Sequence, residues 1–507
     1  MPLDCEVNIE KNAPVRLLNA VMERMDYSKL YAAYSRLGRI EYSPKILLKI
    51  MVYGYMRKQI SSRAPDHNTI NRFRKNILTQ EAGQDILCQL VVLLHERGLL
   101  SLEAAFIDGT KIEANANKYS FVWKKATAQK TEKLLKKIHD ELPAKLKEVG
   151  IRFHVPEKIA VRQLKKLWKR IHARIKADGI ELVSGKGKRK TRLQRLSEWG
   201  DQCLAKLKQY TNDIHICGNR NSFSKTDHDA TFMHMKEDYM RNGQLKPGYN
   251  VNVATCSDFI IGSYISSDRN DVHTLIPFME QLQKNYEGKN IGSVVVDSGY
   301  ESEENYCWFE AHPETELYVK PSNHEAAKHR KYRTDISRRE NMAYNAQTDT
   351  YTCANGKLLQ KTQEKKTHTA SGLEITTSVY ECSECDGCPL KEKCIRACGS
   401  KKPLEERHKV IYVSKRFARQ RQAMEAKISS PKGCLLRVNR SIQAEGNFAY
   451  VKQDLDFRRF LLRGSTKVAA EWLLFSLALN ILHLHHKIQN RRLGSGLKIP
   501  SSFPAGL

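Results

Sequence analysis

Two apolar runs each deliver an aspartate that is followed within two positions by glycine: AAFIDGT ends on Asp108 and VVVDSGY on Asp297. The β-branched and aromatic residues ahead of each predict buried strands with the acid at the C-terminal end. Strand C-termini of an open α/β sheet are where ligand groups gather. Two carboxylates there can share divalent cations, because hard Mg²⁺ prefers oxygen ligands. A third acid would complete a two-metal site. Taken singly, each Asp is also an ordinary turn former after a strand. The third acid is best sought in RSIQAEGNFAYVKQDLDFRRF, where helical spacing puts Glu445, Phe448 and Lys452 on one face. Lys452 then lies about 10.5 Å along the axis from Glu445, at 1.5 Å per residue. That distance suits a carboxylate on a metal and a cation on a neighbouring phosphate. It also suits a plain amphipathic helix with a mixed-charge face.

A second constellation is Cys382-x₂-Cys385-x₂-Cys388-x₅-Cys394, with Cys353 upstream and Cys398 close by. Soft thiolates at this density suit structural Zn²⁺. The first three also echo an iron–sulfur run, but the fourth spacing is five rather than three. Free thiols are the third reading. Cys88 and Cys203 read as packed thiols. His483, His485 and His486 end an apolar helix, where dipole complement and DNA-facing charge suit them better than a metal.

The 507 residues must fold into elements that position these groups, and that length predicts about three domains. A hydrophobic content of 41% argues against wholesale disorder. The net charge of +29 asks for a polyanionic partner. A membrane surface is the weaker candidate. The start, MPLDCEVNIEKNAP, has no apolar core of signal-peptide length. The most apolar stretch, 468–482, carries Glu471 and falls short of the roughly 20 residues a span needs, so it reads as a buried helix. Thirteen cysteines without a secretory signal predict reduced thiols in a cytosol.

Residues 1–98 read as a helical domain. SPKILLKIMVYGYMRK starts a helix at Ser43 and Pro44, and in APDHNTINRFRKNI Asp66 can cap a helix that lines up Ile70, Phe73 and Ile77. Arg72, Arg74 and Lys75 lie beside that face, which suits a DNA-reading helix-turn-helix or a bundle with a basic surface. Residues 99–321 read as an α/β core, with a hairpin turning at Ser257-Asp258 and helix-linked strands after it. Inserted at 124–213 are two or three amphipathic helices, the first broken by Pro143. They hold 25 Lys and Arg against 10 Asp and Glu, a surplus of 15 that includes the basic loop of Lys186, Lys188, Arg189 and Lys190. Residues 322–432 form a polar, cysteine-bearing insertion, and 433–507 return to helices of the core.

These pieces together resemble the DDE transposases of bacterial insertion sequences, whose catalytic domain is like RNase H and retroviral integrase. The resemblance rests on YSPKILLKIMVYGYMRK, PDHNTINRFR, FIDGTKIEANANKYSFVWKK, SKTDHDATFMHMK, KPGYNVNVAT, VVVDSGYESEENY and RSIQAEGNFAYVKQDLDFRRFLLRG, in that order through nearly the whole chain. It implies an RNase H-like mixed-sheet core in which Asp108, Asp297 and Glu445 hold Mg²⁺ or Mn²⁺. The intervals of 189 and 148 residues between these acids are long for a bare core, and the two insertions account for them. The related signature Tyr-x₂-Arg-x₃-Glu-x₆-Lys is met in part. Glu445-x₆-Lys452 fits, the arginine is Arg440, one residue further off, and no Tyr stands in its place. Arg437 is the nearest upstream candidate for a phosphate contact. In the N-terminal domain the SSR and PDH elements abut as ISSRAPDH, where relatives carry a longer connection.

The resemblance implies a DNA transposase that nicks element ends and joins the freed 3′-hydroxyl to target DNA. Its partner is double-stranded DNA, with no membrane and no small-molecule substrate. It implies a homodimer on DNA in a bacterial cytoplasm, associated with the nucleoid. Two other functions remain open at this point: a catalytically silent, DNA-binding descendant, and an RNase H-like nuclease without strand transfer.

Overall fold

A computed structural model of the chain describes residues 9–34, 42–57, 66–156, 159–184, 189–235, 243–396, 402–494 and 496–498. The N-terminal helices are α1 (Pro14–Met22), α2 (Ser28–Ala32), α3 (Pro44–Met56), α4 (His67–Arg72) and α5 (Gln80–Glu96). Pro44 sits in the first turn of α3, where its missing N–H costs nothing. Asp66 caps α4 by accepting from the amides of Asn68 and Thr69 at 2.6 and 3.1 Å. Ile70 and Phe73 are buried as their spacing predicts. The helix then widens into a π turn at Phe73–Ile77.

The core begins with β1 (Ala104–Glu113) and β2 (Phe121–Trp123), followed by three inserted helices, α6 (Lys124–Glu148), α7 (Val161–Ala177) and α8 (Arg192–Cys217). It resumes with β3 (Ser222–Ser224), β4 (Thr231–His234), β5 (Leu245–Cys256), β6 (Phe259–Ser266), α9 (Leu275–Asn285), β7 (Ser293–Val296), α10 (Glu303–Ala311) and β8 (Glu316–Val319). One mixed sheet runs β4–β5–β1–β7–β8, with β6 also on β5. β5 pairs antiparallel with β1 and β6, whereas β1–β7 and β7–β8 are parallel. The order β6–β5–β1–β7–β8, a hairpin first and helix-linked parallel strands after it, is that of an RNase H-like core. The β5–β6 hairpin turns at Ser257 and Asp258, both left-handed at φ 51° and 74°.

Two expectations need correction here. β1 does not stop at Asp108-Gly109, because β5 pairs with it throughout, from Phe106↔Thr255 to Glu113↔Gly248. Asp108 is therefore a mid-strand residue. Pro143 does not break α6, which continues to Glu148. Ile138, Leu142 and Leu146 on either side of it bury in the core shared by the three inserted helices, and that burial outweighs the lost hydrogen bond. Trp168 of α7 lies against bare backbone at Gly200 of α8, where a Cβ would fall 1.4 Å from the ring. Its Nε1 donates to Ser197 O at 3.1 Å.

After β8 come α11 (His324–Lys328), α12 (Arg330–Arg333) and the strands β9 (Ala343–Asn345), β10 (Thr350–Thr352), β11 (Leu358–His368) and β12 (Glu374–Glu381). The chain continues through α13 (Lys391–Cys394), β13 (Val410–Val413), α14 (Lys415–Ser429), α15 (Pro431–Ala449) and α16 (Ser465–Gln489). β9 to β13 form a separate sheet with a small core of its own, which includes Tyr351, Leu359, Tyr380, Cys382 and Cys385. α14 already packs back against α10 and β8.

α16 is long and apolar enough to cross a membrane by length and composition, yet its apolar window is 89% buried inside the protein. α1, α3, α5 and β6 surround it. Glu471, with no exposed surface, accepts from the amides of Leu461 and Leu462 at 3.1 and 3.0 Å and from Tyr55 Oη at 3.4 Å. Burial pushes its carboxyl upward, and these donors and the nearby Arg74 oppose that push. Glu471 thus pins an N-terminal helix and the 461–462 backbone to the core helix. Replacing it with alanine should cost about 1–3 kcal/mol for each amide left without an acceptor. Equilibrium denaturation of Glu471→Ala tests this, and an unchanged midpoint would refute it.

Candidate active site

The parallel ladder between β1 and β7 pairs Ala104 with Ser293, Ala105 with Val294 and Phe106 with Val295. That constant offset of 189 residues is the interval from Asp108 to Asp297. Asp108 lies two residues beyond the last residue of β1 paired with β7, and Asp297 two beyond the last of β7 paired with β1. Asp108 is 8% exposed, and one of its carboxylate oxygens accepts from the Gly109 amide at 2.8 Å. Asp297 follows the last residue of β7 and accepts from the Gly299 amide, also at 2.8 Å. Each carboxylate is thereby oriented by the backbone that follows it.

α15 packs across β1, β5 and β7. Its rotation is set by a polar row at four-residue spacing. Gln443 Nε2 donates to Asn439 Oδ1 at 3.3 Å, and Asn447 Nδ2 donates to Thr255 Oγ1 on β5 at 3.1 Å. Gln443 Oε1 also accepts from the Asp258 amide at 3.0 Å. Asn439, Gln443 and Asn447 are all buried. The recurrence of polar residues at i, i+4 and i+8 inside an apolar helix is a signal that sequence reasoning passed over. With α15 so placed, Arg440 Nη1 lies 4.0 Å from Asp108 Oδ2. The backbone of residue 445 is helical within α15, and the Glu445 side chain lies outside the described residues. Lys452 departs from the expected straight helix, because Tyr450–Asp454 form a π turn. The wider turn breaks the seven-residue stacking over Glu445. Lys452 and Arg437 are both half-buried.

Behind β1 the site has a polar floor that the sequence did not reveal. Gly109 pairs with Asn252 of β5, and a Cβ on Gly109 would meet Asp271 Oδ1 at 2.9 Å, Tyr300 Oη at 3.0 Å and Asn252 Oδ1 at 3.3 Å. Tyr300 Oη donates to Asn252 Oδ1 at 2.5 Å and Thr274 Oγ1 to the same oxygen at 2.8 Å. Asn250 Nδ2 donates to Asp271 Oδ1 at 2.6 Å. Burial, reinforced by Asp271, Asp108 and Asp297, raises the Tyr300 phenol well above its ordinary range, so it stays a neutral donor. Just beyond, the buried Glu301 makes a two-pronged ion pair with Arg421 of α14, both contacts at 2.8 Å.

The other predicted residues are scattered. Arg72 is exposed on α4, whereas Arg74 donates to Asn71 at 2.9 Å and keeps its Nε away from solvent. Arg189 is exposed, Lys190 is paired with Glu198 at 2.8 Å, and Lys186 and Lys188 lie outside the described residues. His483 is half-buried, with Nδ1 2.7 Å from Asp258 O, and its desolvation lowers its basicity. His485 contacts Asn12 O. Cys88 is half-buried and Cys203 buried, both as free thiols.

Around the second sheet, Cys385 Sγ accepts from the Lys409 amide at 3.4 Å and lies 3.5 Å from Cys382 O. Burial pushes the Cys382 thiol up to about 11 and raises that of Cys394. Among the described residues no group of three or more His, Cys, Asp or Glu side chains is placed to hold a metal ion. For divalent cations, Asp108 and Asp297 fit as two oxygen donors on adjacent strands, with α15 crossing above them.

The strand order β6–β5–β1–β7–β8, with α15 packed across it, is that of an RNase H-like core. Two family models match the chain: "Transposase DDE domain" over residues 352–485 and "Transposase domain (DUF772)" over residues 3–64. Each match spans well under half of the chain, and both are consistent with an insertion-sequence transposase of the DDE family. The first match includes Glu445, and the second covers the start of the helical domain. No curated protein and no solved structure matches the chain.

Proposed function

We propose that the chain cuts DNA at the ends of its own insertion sequence and joins the freed 3′-hydroxyl to target DNA at one carboxylate site. What supports this reading is that Asp108 and Asp297 each follow the end of the β1–β7 ladder by two residues, with α15 packed across both strands. Asp108, Asp297 and Glu445 would hold two divalent cations, Mg²⁺ or Mn²⁺, which when bound activate the attacking oxygen and stabilise the leaving one. Asp108 and Asp297 hold their oxygens in place through the Gly109 and Gly299 amides. Arg440, beside Asp108, can meet the scissile phosphate, with Arg437 and Lys452 on its flanks. Arg72 and the basic inserted helices then fix the duplex, the helices mainly through phosphates. Pairing two element ends calls for two copies of the chain on DNA.

Nicking of DNA that carries the element's own ends, in Mg²⁺ or Mn²⁺, tests the catalytic assignment. Asp108→Asn, Asp297→Asn and Glu445→Gln should each lose cleavage by at least about 10²-fold, the scale for a removed transition-state stabiliser. Wild type that binds these ends without cutting them would instead identify a silent DNA-binding protein. Cutting without any joined target product would identify a nuclease.

The surplus of 15 positive charges at 124–213 should appear as a steep salt dependence of DNA affinity. Neutralising Lys186, Lys188, Arg189 and Lys190 should lower the log–log slope by about 0.9 for each phosphate no longer neutralised by the protein. Lys190 contributes least because Glu198 already pairs with it. A slope unchanged by all four substitutions would assign the surplus another role.

The same reading takes Cys382, Cys385, Cys388 and Cys394 as a structural Zn²⁺ set. Thiol density in the sequence supports it. Elemental analysis of purified protein should find about one zinc per chain, the count for one four-thiolate site. Protein free of zinc after metal-replete preparation would refute the site.

A further inference from the structure

We propose that Asn252, Tyr300 and Asp271 are positioning residues that fix the separation of Asp108 and Asp297 and so set the affinity of the site for divalent cations. This rests on the reading that those two aspartates hold the metal. Side chains alternate across a strand, so the missing Cβ of Gly109 points away from the face that carries Asp108. Asp271 Oδ1, Tyr300 Oη and Asn252 Oδ1 crowd the space it leaves. Asp271 also lies beside the turn that follows the second acid. A Cβ on Gly299 would lie 3.4 Å from Asp271 Oδ2 and 3.0 Å from Asp297 Oδ1. One carboxylate therefore lies with an oxygen against the residue that follows Asp108 and the other against the turn that orients Asp297.

The need for such a device follows from the ladder. Backbone pairing between β1 and β7 ends at Phe106↔Val295, and β7 itself ends at Val296. Asp297 is thus beyond the last strand residue, where no ladder bond fixes its height above β1. Three residues later Tyr300 reaches beneath β1 and donates to Asn252 on the far strand, β5, at 2.5 Å. That bond ties the segment after β7 to the strand on the other side of Asp108. Thr274 donates to the same Asn252 oxygen and Asn250 donates to Asp271, which fixes both acceptors. Asn250, Asn252 and Tyr300 are 0%, 0% and 1% exposed. Apolar side chains would fill that space at lower desolvation cost, but they would not select one spacing between the strand ends.

Titration of the full-length protein with MnCl₂, followed by electron paramagnetic resonance of free Mn²⁺, tests the inference without DNA. Wild type should bind Mn²⁺ and Asp108→Asn should not. Tyr300→Phe and Asp271→Asn should each weaken binding about ten-fold, the scale of one lost hydrogen bond, with excess Mn²⁺ restoring saturation. Phe278→Leu, a core change in α9, supplies a variant destabilised away from the site. If it weakens Mn²⁺ binding as much as Tyr300→Phe does, the effect is general loosening and the inference is overturned. Wild-type affinity in Tyr300→Phe and Asp271→Asn overturns it too, while leaving the metal reading intact. Wild type whose Mn²⁺ binding is absent, or insensitive to Asp108→Asn, overturns the metal reading and this inference with it.

Discussion

One strand bears the constraint on which the rest depends. β1 is at once the antiparallel partner of β5 and the parallel partner of β7, so its register is fixed from both sides. Because side chains alternate, a slip of one residue against either neighbour would turn Asp108 to the opposite face. Phe106 and Ile107, both fully buried, and Gly109, whose missing side chain leaves room for the polar floor, resist that slip. The acids need no proximity in sequence once this register is set.

That independence explains how the chain carries two large insertions. The helices α6 to α8 leave the sheet after β2 and return before β3, and β2 and β3 pair with one another at the base of the excursion. They bury their own core, which includes Ile138, Leu167, Trp168, Ile171 and Leu207. The second sheet does the same with Tyr351, Leu359 and Tyr380. Each insertion adds surface around a core of its own. The charge surplus sits on the first of them.

The strands β1 and β5 to β8 were legible in the sequence as apolar runs bounded by turn residues, whereas the second sheet, β9 to β13, was hidden in a polar insertion. The resemblance to DDE transposases supplied Glu445 and the expectation of an RNase H-like sheet. What escaped depended on partners distant in sequence. Asp108 looked like a strand terminus because Asp-Gly is a turn pair, yet β5 extends the ladder past it to Glu113. Pro143 looked like a helix end until burial on both sides overrode it. Lys452 was placed by an ideal helical period, which the π turn at Tyr450–Asp454 interrupts. Asp271 was hidden most deeply. It stands in an ordinary SDRNDV turn, and only the pairing of Gly109 with Asn252 brings it under the site.

α16 is where the two ends of the chain meet. The N-terminal helices α1, α3 and α5 and the core strand β6 all lie against it, and Glu471 joins Tyr55 to the backbone beside the core. The N-terminal helical region is therefore not a portable module on a tether but one wall of the protein's own interior. A chain cut short before α16 would leave these helices without the surface they fold against, so truncation at the far end would undo the folding of the near one.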